Sequence, residues 1–263
     1  MPLSPLPPPL GPVHADKAYT PGYSDNAVDF MLRRTVESHG AFILPYLRTG
    51  LTVLDCGCGP GSITRSIASH VPDGKIVGVD FSESQISAAR GRNHPAGSAH
   101  VSFQTASAYD LPFAGGTFDI VFSHALLEHL SEPARAVAEF KRVLKGGGTL
   151  GVCSPDWGGF LLAPTSQGLV TAIEDYKKLQ IANGGDVHVG RQLGKLLLSA
   201  GFLEVKMDAR YEVYPSVPLI AEYLALQLDK NGLNSGATAL RAWMHEPSAM
   251  FAQSWISCVG RKG

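Results

Sequence analysis

The stretch VLDCGCGPGSIT, Val53 to Thr64, carries glycine at positions 57, 59 and 61, between an apolar run that ends in an acid and a helical pattern. Strand, tight turn and helix in that order are the repeating unit of a parallel α/β sheet. Glycine in such a turn permits positive φ and lets a ligand come close to the main chain. The turn crosses the carboxyl end of its strand, where open α/β sheets bind ligands.

Outward from this stretch the same rhythm recurs. Leu51–Asp55, Lys75–Asp80, Val101–Thr105 and Phe118–Ser123 read as strands, and TLGVCS, from Thr149, as a fifth. Helical patterns cover Ser62–His70, about 83–92 after a Ser82 cap, and 133–144 with proline near the start; Gly146–Gly148 ends the last of these. The alternation predicts a doubly wound sheet with right-handed crossovers. Upstream, Ser24 to Asn26 can cap one helix over roughly 26–47. Past Pro155 the pattern changes. PDWGGFLLAP reads as a loop and 167–182 as a helix; GRQLGKLLLSAGF restarts a helix, and LEVKMDARYEVY alternates like a strand. Helices follow at about 217–229 and 237–245, and AQSWISCVGRK closes as a strand. The expected organisation is a Pro-rich flexible tail over 1–18 and one domain over 19–263. Segments at about 19–47, 155–190 and 216–247 would cover the sheet edge.

The chain has 263 residues, 44% of them apolar, and a formal net charge of −1. That supports a sizeable core and leaves no basic patch for a nucleic acid. No apolar run reaches the roughly 18–20 residues of a membrane span, and no signal-peptide pattern opens the chain, so a cytoplasmic location is expected. Cys56, Cys58, Cys153 and Cys258 lack metal-site spacing and read as structural thiols. The sequence is silent on oligomeric state.

Two details define the ligand. The dinucleotide fingerprint requires a small residue three positions after its second glycine; Ser62 stands there, and Gly61 falls one residue early. Asp80 ends the second strand, where a carboxylate accepts hydrogen bonds from both hydroxyls of a ribose. At these residues, and through IVGVDFS, SAYDLPFAGGTFDIVFSHALLEHLSEPARAVAEFKRVLKGGGTL and the terminal SWISCVGRK, the chain resembles the class I S-adenosylmethionine-dependent methyltransferases. It is most similar to the small-molecule branch that includes the menaquinone and ubiquinone biosynthesis enzymes. The resemblance is strong over about 45–155 and looser to the end.

It implies a Rossmann-like seven-stranded sheet with the last strand antiparallel, S-adenosylmethionine as donor and S-adenosylhomocysteine as product. By motif, Asp55 and the 57–61 backbone (Gly57, Cys58, Gly59, Gly61) would face the donor's methionine part. Asp80 would hold the ribose and Phe81 lie against adenine. Ser107, which replaces the family's acid, and Ala108 would meet the adenine edge. Ser123 and His124 would line the methionine end, mainly by backbone, and Arg34 approach the donor carboxylate.

Methyl transfer needs orientation, exclusion of water and, for some acceptors, a base. His124, directly after the fourth strand, is the first candidate. His129 is the second, and Asp156, able to pair with a histidine or orient the acceptor, the third. Trp157, Phe160, Tyr176, Tyr211, Tyr214, Tyr223 and Trp243 are candidates for an apolar acceptor pocket. No metal is expected, since HExxH and related spacings are absent. The reading is methyl transfer to a small, mostly apolar metabolite. The alternatives are a nicotinamide-dependent oxidoreductase and a non-catalytic donor-binding subunit.

Overall fold

A computed structural model describes residue 20 and residues 25–92 and 100–263. The expected tail over 1–18 and the Ser24 cap lie outside the described residues.

The single helix expected over 26–47 is three pieces: α1 (Asp25–Leu32), α2 (Val36–His39) and a 3₁₀ segment, Ala41–Tyr46. Thr35 explains one break. Its side chain accepts the Ser38 N–H, and Ser38 Oγ accepts the Thr35 N–H, a reciprocal cap that starts a new helix. Gly40 ends that helix, and Pro45 sits inside the 3₁₀ segment.

The chain then alternates as expected: β1 (Thr52–Cys56), α3 (Ser62–Ala68), β2 (Lys75–Asp80), α4 (Glu83–Arg90), β3 (His100–Thr105) and β4 (Phe118–His124). After a 3₁₀ turn at Leu127–His129 come α5 (Pro133–Val143) and β5 (Leu144–Ala163). α6 (Gln167–Ala182), α7 (Val189–Ser199), β6 (Phe202–Val213), α8 (Val217–Lys230), α9 (Asn234–Trp243) and β7 (Met250–Lys262) complete the chain. The sheet has seven strands in the order β3-β2-β1-β4-β5-β7-β6, with β7 antiparallel to its neighbours.

PDWGGFLLA, up to Ala163, is strand and not the loop expected. β5 continues beside β7 from Thr149↔Arg261 to Ala163↔Met250, with one irregularity between Asp156 and Leu161. The two glycines sit in that irregularity. A Cβ on Gly159 would stand 2.7 Å from Ser254 Oγ, and one on Gly158 would strike the Arg191 guanidinium. They mark close approach within a sheet rather than its end.

Of four hydrophobic cores among the described residues, three larger ones hold these layers and the fourth joins Cys58, Ile86, Ala89 and Phe103. Phe140, Leu193 and Leu197 of α5 and α7 pack on one face with Leu150 and Val152. Ile43, Ile63 and Ile67 pack on the other face with Phe122. Helices α6, α8 and α9 bury Leu169, Leu224 and Leu240 around Trp157 and Phe251, where the β5/β7 ribbon runs past the sheet.

Gly61, the residue before α3, belongs to this packing. Its φ is +77°, and a Cβ there would lie 2.6 Å from the Phe103 ring of β3. Substitution therefore combines a left-handed backbone with overpacking. Gly61→Ala should cost about 1–3 kcal/mol of stability, read as a lower urea midpoint with an unchanged slope.

Candidate active site

A crevice of about 550 Å³ opens at the carboxyl ends of β1, β2 and β4. One wall is the turn after β1, where Gly57 has φ +79° and Gly59 φ +51°. The Gly57 and Cys58 N–H groups both donate to the Val79 carbonyl, at 2.8 and 2.9 Å. The Gly59 N–H donates to Asp80 Oδ2 and the Ser82 N–H to Oδ1, each at 2.9 Å. Asp80 is thus fixed by main chain, with acceptor capacity left on both oxygens. Burial raises its pKa, and the two backbone hydrogen bonds oppose that shift.

Asp55 is buried at 2% exposure, and the Thr64 hydroxyl donates to its Oδ2 at 2.6 Å. Burial pushes its pKa up to about 7; Thr64 opposes the shift, and the Asp80 charge adds to it. Phe81, next to Asp80, is 77% exposed at the crevice rim. Ser107 and Ala108 line the same side, with Ser107 Oγ accepting the Tyr109 N–H at 3.2 Å.

At the opposite end His124 lies buried and stacked on Trp255, with ring centroids 4.7 Å apart. The His39 ring meets it edge-on at 5.4 Å. Neither ring nitrogen of His124 has a hydrogen-bond partner among the described residues. Burial, with the Arg34 charge adding, holds its pKa well below the ordinary histidine value. The same two causes bring His129 down to about 3. Arg34 lies with Cζ 5.5 Å from the centre of the Trp255 ring.

A second, smaller cavity shares Met31, Arg34, Ala125 and His129 with the crevice. Four of the aromatic residues expected in a pocket line it: Trp157, Tyr176, Tyr214 and Tyr223. The other three stand elsewhere. Tyr211 is 54% exposed, Phe160 packs on Trp157 and Phe251, and Trp243 Nε1 donates to the Ala163 carbonyl.

Of the residues singled out in the sequence, the crevice brings together Arg34, Asp55, Gly57, Cys58, Gly59, Asp80, Phe81, Ser107, Ala108, His124 and His129. Gly61, Ser123 and Asp156 line neither cavity. Gly61 is turned to Phe103, and Ser123 is buried within β4. Asp156 accepts Arg191 Nε and Nη2, each at 2.6 Å, and Nδ1 of His188 lies 3.4 Å away. Burial alone would raise its pKa, but the Arg191 and Gly158 hydrogen bonds outweigh that and hold it at about 2. It anchors the start of α7 to β5.

Sequence reasoning missed Met31, Trp255 and Glu128. Glu128 carried a signal: an acid inside the apolar run ALLEHL, buried at 2% exposure.

Residues 54–152 match a family model described as a methyltransferase domain. Demethylmenaquinone methyltransferase of Symbiobacterium thermophilum is 38% identical over 107 residues, 39% of this chain and 42% of that protein. An uncharacterized 37.1 kDa protein of a Streptomyces fradiae transposon is 30% identical over 219 residues, 77% of this chain and 59% of its own length. The chain spans about half the length of the curated relatives it matches. Haemonchus contortus phosphoethanolamine N-methyltransferase 2, solved with S-adenosylhomocysteine, shares the fold at a TM-score of 0.59 and 18% identity; the match covers 91% of this chain and 58% of that one. The [4+2]-cyclase SpnF superposes at a TM-score of 0.52 and 25% identity, covering 90% of this chain and 80% of its own. The strand order, the glycine turn facing an acid at the end of β2, and these matches agree: residues 54–152 form a methyltransferase domain of the class I S-adenosylmethionine-dependent type.

Proposed function

We propose that the protein transfers the methyl group of S-adenosylmethionine to a small, mostly apolar molecule. One observation carries this reading. A buried carboxylate, Asp55, and a half-buried one, Asp80, face one crevice, and the hydrogen-bond partners of each are neutral: a hydroxyl for Asp55 and backbone N–H groups for Asp80. A ligand with an ammonium group and a vicinal diol satisfies both. A diphosphate would meet two like charges there, which disfavours the nicotinamide alternative.

The residues present fit the donor. Asp55 would bind its ammonium and Asp80 accept from the ribose hydroxyls. The exposed face of Phe81 would cover adenine, with Ser107 and Ala108 at the purine edge. Gly57, Cys58 and Gly59 would supply main chain without bulk, and Arg34 would approach the carboxylate. When bound, the donor supplies a methyl on a positively charged sulfur, open to in-line displacement. His124, a neutral imidazole with both nitrogens available, would orient the acceptor where the two cavities meet. His129 would line that junction, and the aromatic side chains beyond it favour an apolar acceptor. SpnF shows that this fold also carries chemistry named otherwise, so transfer itself has to be measured.

Calorimetry with S-adenosylhomocysteine tests the site. Asp55 has its pKa raised to about 7 in the free protein. Pairing with an ammonium lowers it, so binding favours the ionised form. Affinity should rise from about pH 6 to pH 8, with release of about half a proton at pH 7 from this group. Asp80→Ala should weaken binding by about 1–3 kcal/mol. Binding without proton release, or unchanged in Asp80→Ala, would contradict the assignment. A metabolite extract incubated with isotopically labelled donor should then show one compound gaining a methyl group by mass spectrometry.

A further inference from the structure

We propose that Glu128 is the proton acceptor for the incoming nucleophile, and that the nucleophile is a hydroxyl on a planar, apolar body. This rests on the methyl-transfer reading of the crevice and names the chemistry of its second cavity.

The carboxyl group is held in place from several sides. Glu128 stands in the 3₁₀ turn after β4, and its carbonyl accepts Gln180 Nε2 at 3.0 Å and the Asp186 N–H at 2.9 Å. Its Oε2 accepts the Ser154 hydroxyl at 2.9 Å. Its Oε1 lies 3.6 Å from His129 Nε2, beyond hydrogen-bond reach, and is the oxygen left for a ligand. A buried acid held by one serine is most often a structural group. Here the acid lines a cavity that adjoins the donor crevice through Ala125 and His129.

The walls define the end of the molecule that carries the hydroxyl. Trp157, Tyr176, Tyr214, Tyr223 and Trp255 line the same cavity as Glu128, an aromatic lining suited to the edge of a flat apolar body. The cavity measures about 60 Å³. A benzene ring fits in about 150 Å³, so the body of the acceptor extends into the crevice rather than filling the cavity.

The charged and titratable groups around Glu128 come from several elements: Arg34 beside α1, His129 in its own turn, Cys153 on β5 and Tyr223 on α8. Burial pushes the Glu128 pKa up to about 7; its backbone, Ser154 and Arg34 oppose the shift. A base with that pKa is matched to neutral pH. His129, at about 3, and His124, well below its ordinary value, hold a proton too weakly to serve.

In the step, a lone pair of the acceptor oxygen forms the bond to the methyl carbon. The carbon–sulfur bond breaks, and its electron pair stays on sulfur. The hydroxyl proton passes to Oε1 of Glu128 and leaves to solvent with the product.

The test uses the full chain, S-adenosylmethionine and three probes: phenol, 2-naphthol and 4-nitrophenol. At about pH 8.5 the nitrophenol is ionised, while the other two keep their proton. Wild type should form methyl ethers. Glu128→Gln should lower kcat for phenol and 2-naphthol by on the order of 10²–10⁴-fold. For 4-nitrophenol, which needs no base, the loss should stay below about tenfold. Wild-type kcat for 2-naphthol should rise with pH through about 7, and Glu128→Gln should lack that limb. Infrared titration should show a carboxyl band with the same midpoint, absent in the variant. Equal losses with all probes, full activity in the variant, or no ether formed by a protein that binds S-adenosylhomocysteine would overturn the proposal. Failure of wild type to bind S-adenosylhomocysteine would instead remove the donor reading beneath it.

Discussion

The hydrogen bond from the Gly59 N–H to Asp80 Oδ2 joins the turn after β1 to the end of β2, and the crevice takes its shape from that junction. It forms because the turn folds back with positive φ at Gly57 and Gly59, and because Gly57 and Cys58 both donate to the Val79 carbonyl. With those N–H groups satisfied inside the protein, the turn has few donors left for a phosphate. What it offers a ligand is bare main chain and an acid fixed in orientation. That difference separates this turn from a diphosphate-binding loop, in which backbone N–H groups point at the ligand.

The site also gathers groups whose ordinary charge is suppressed. Asp55 and Glu128 are each shifted to about 7, while His124 and His129 are held neutral. Burial is the leading cause in all four cases. Asp55 gains most from a cation, and Glu128 from a proton. Their positions at the crevice and in the adjoining cavity therefore give the two halves of the site different chemistry. Arg34 lines both cavities, and its charge lowers the pKa of both histidines.

The first two strands were legible because each is a run rich in β-branched residues that ends at or beside an acid. Lys75–Asp80 is the clearest case, its observed bounds matching those read from the sequence. The residues that line the crevice were legible because they sit in or next to short motifs. The continuation of β5 through WGGF was not, because the pairing that makes it a strand comes from β7, about a hundred residues on. Nor was the break at Thr35, where a local cap overrides a helical pattern. Gly61 looked like its neighbours in the turn, yet the group it makes room for is Phe103, from a different strand. Glu128 and Trp255 line the second cavity from the turn after β4 and from β7, a proximity that only the folded chain creates.

The most direct measurement of the central claim is a crystal structure of the protein soaked with S-adenosylhomocysteine. The account predicts both ribose hydroxyls within hydrogen-bond reach of Asp80, the amino group at Asp55 and the purine against Phe81. A crevice that stays vacant, or a nucleoside bound with its sugar away from Asp80, would contradict it.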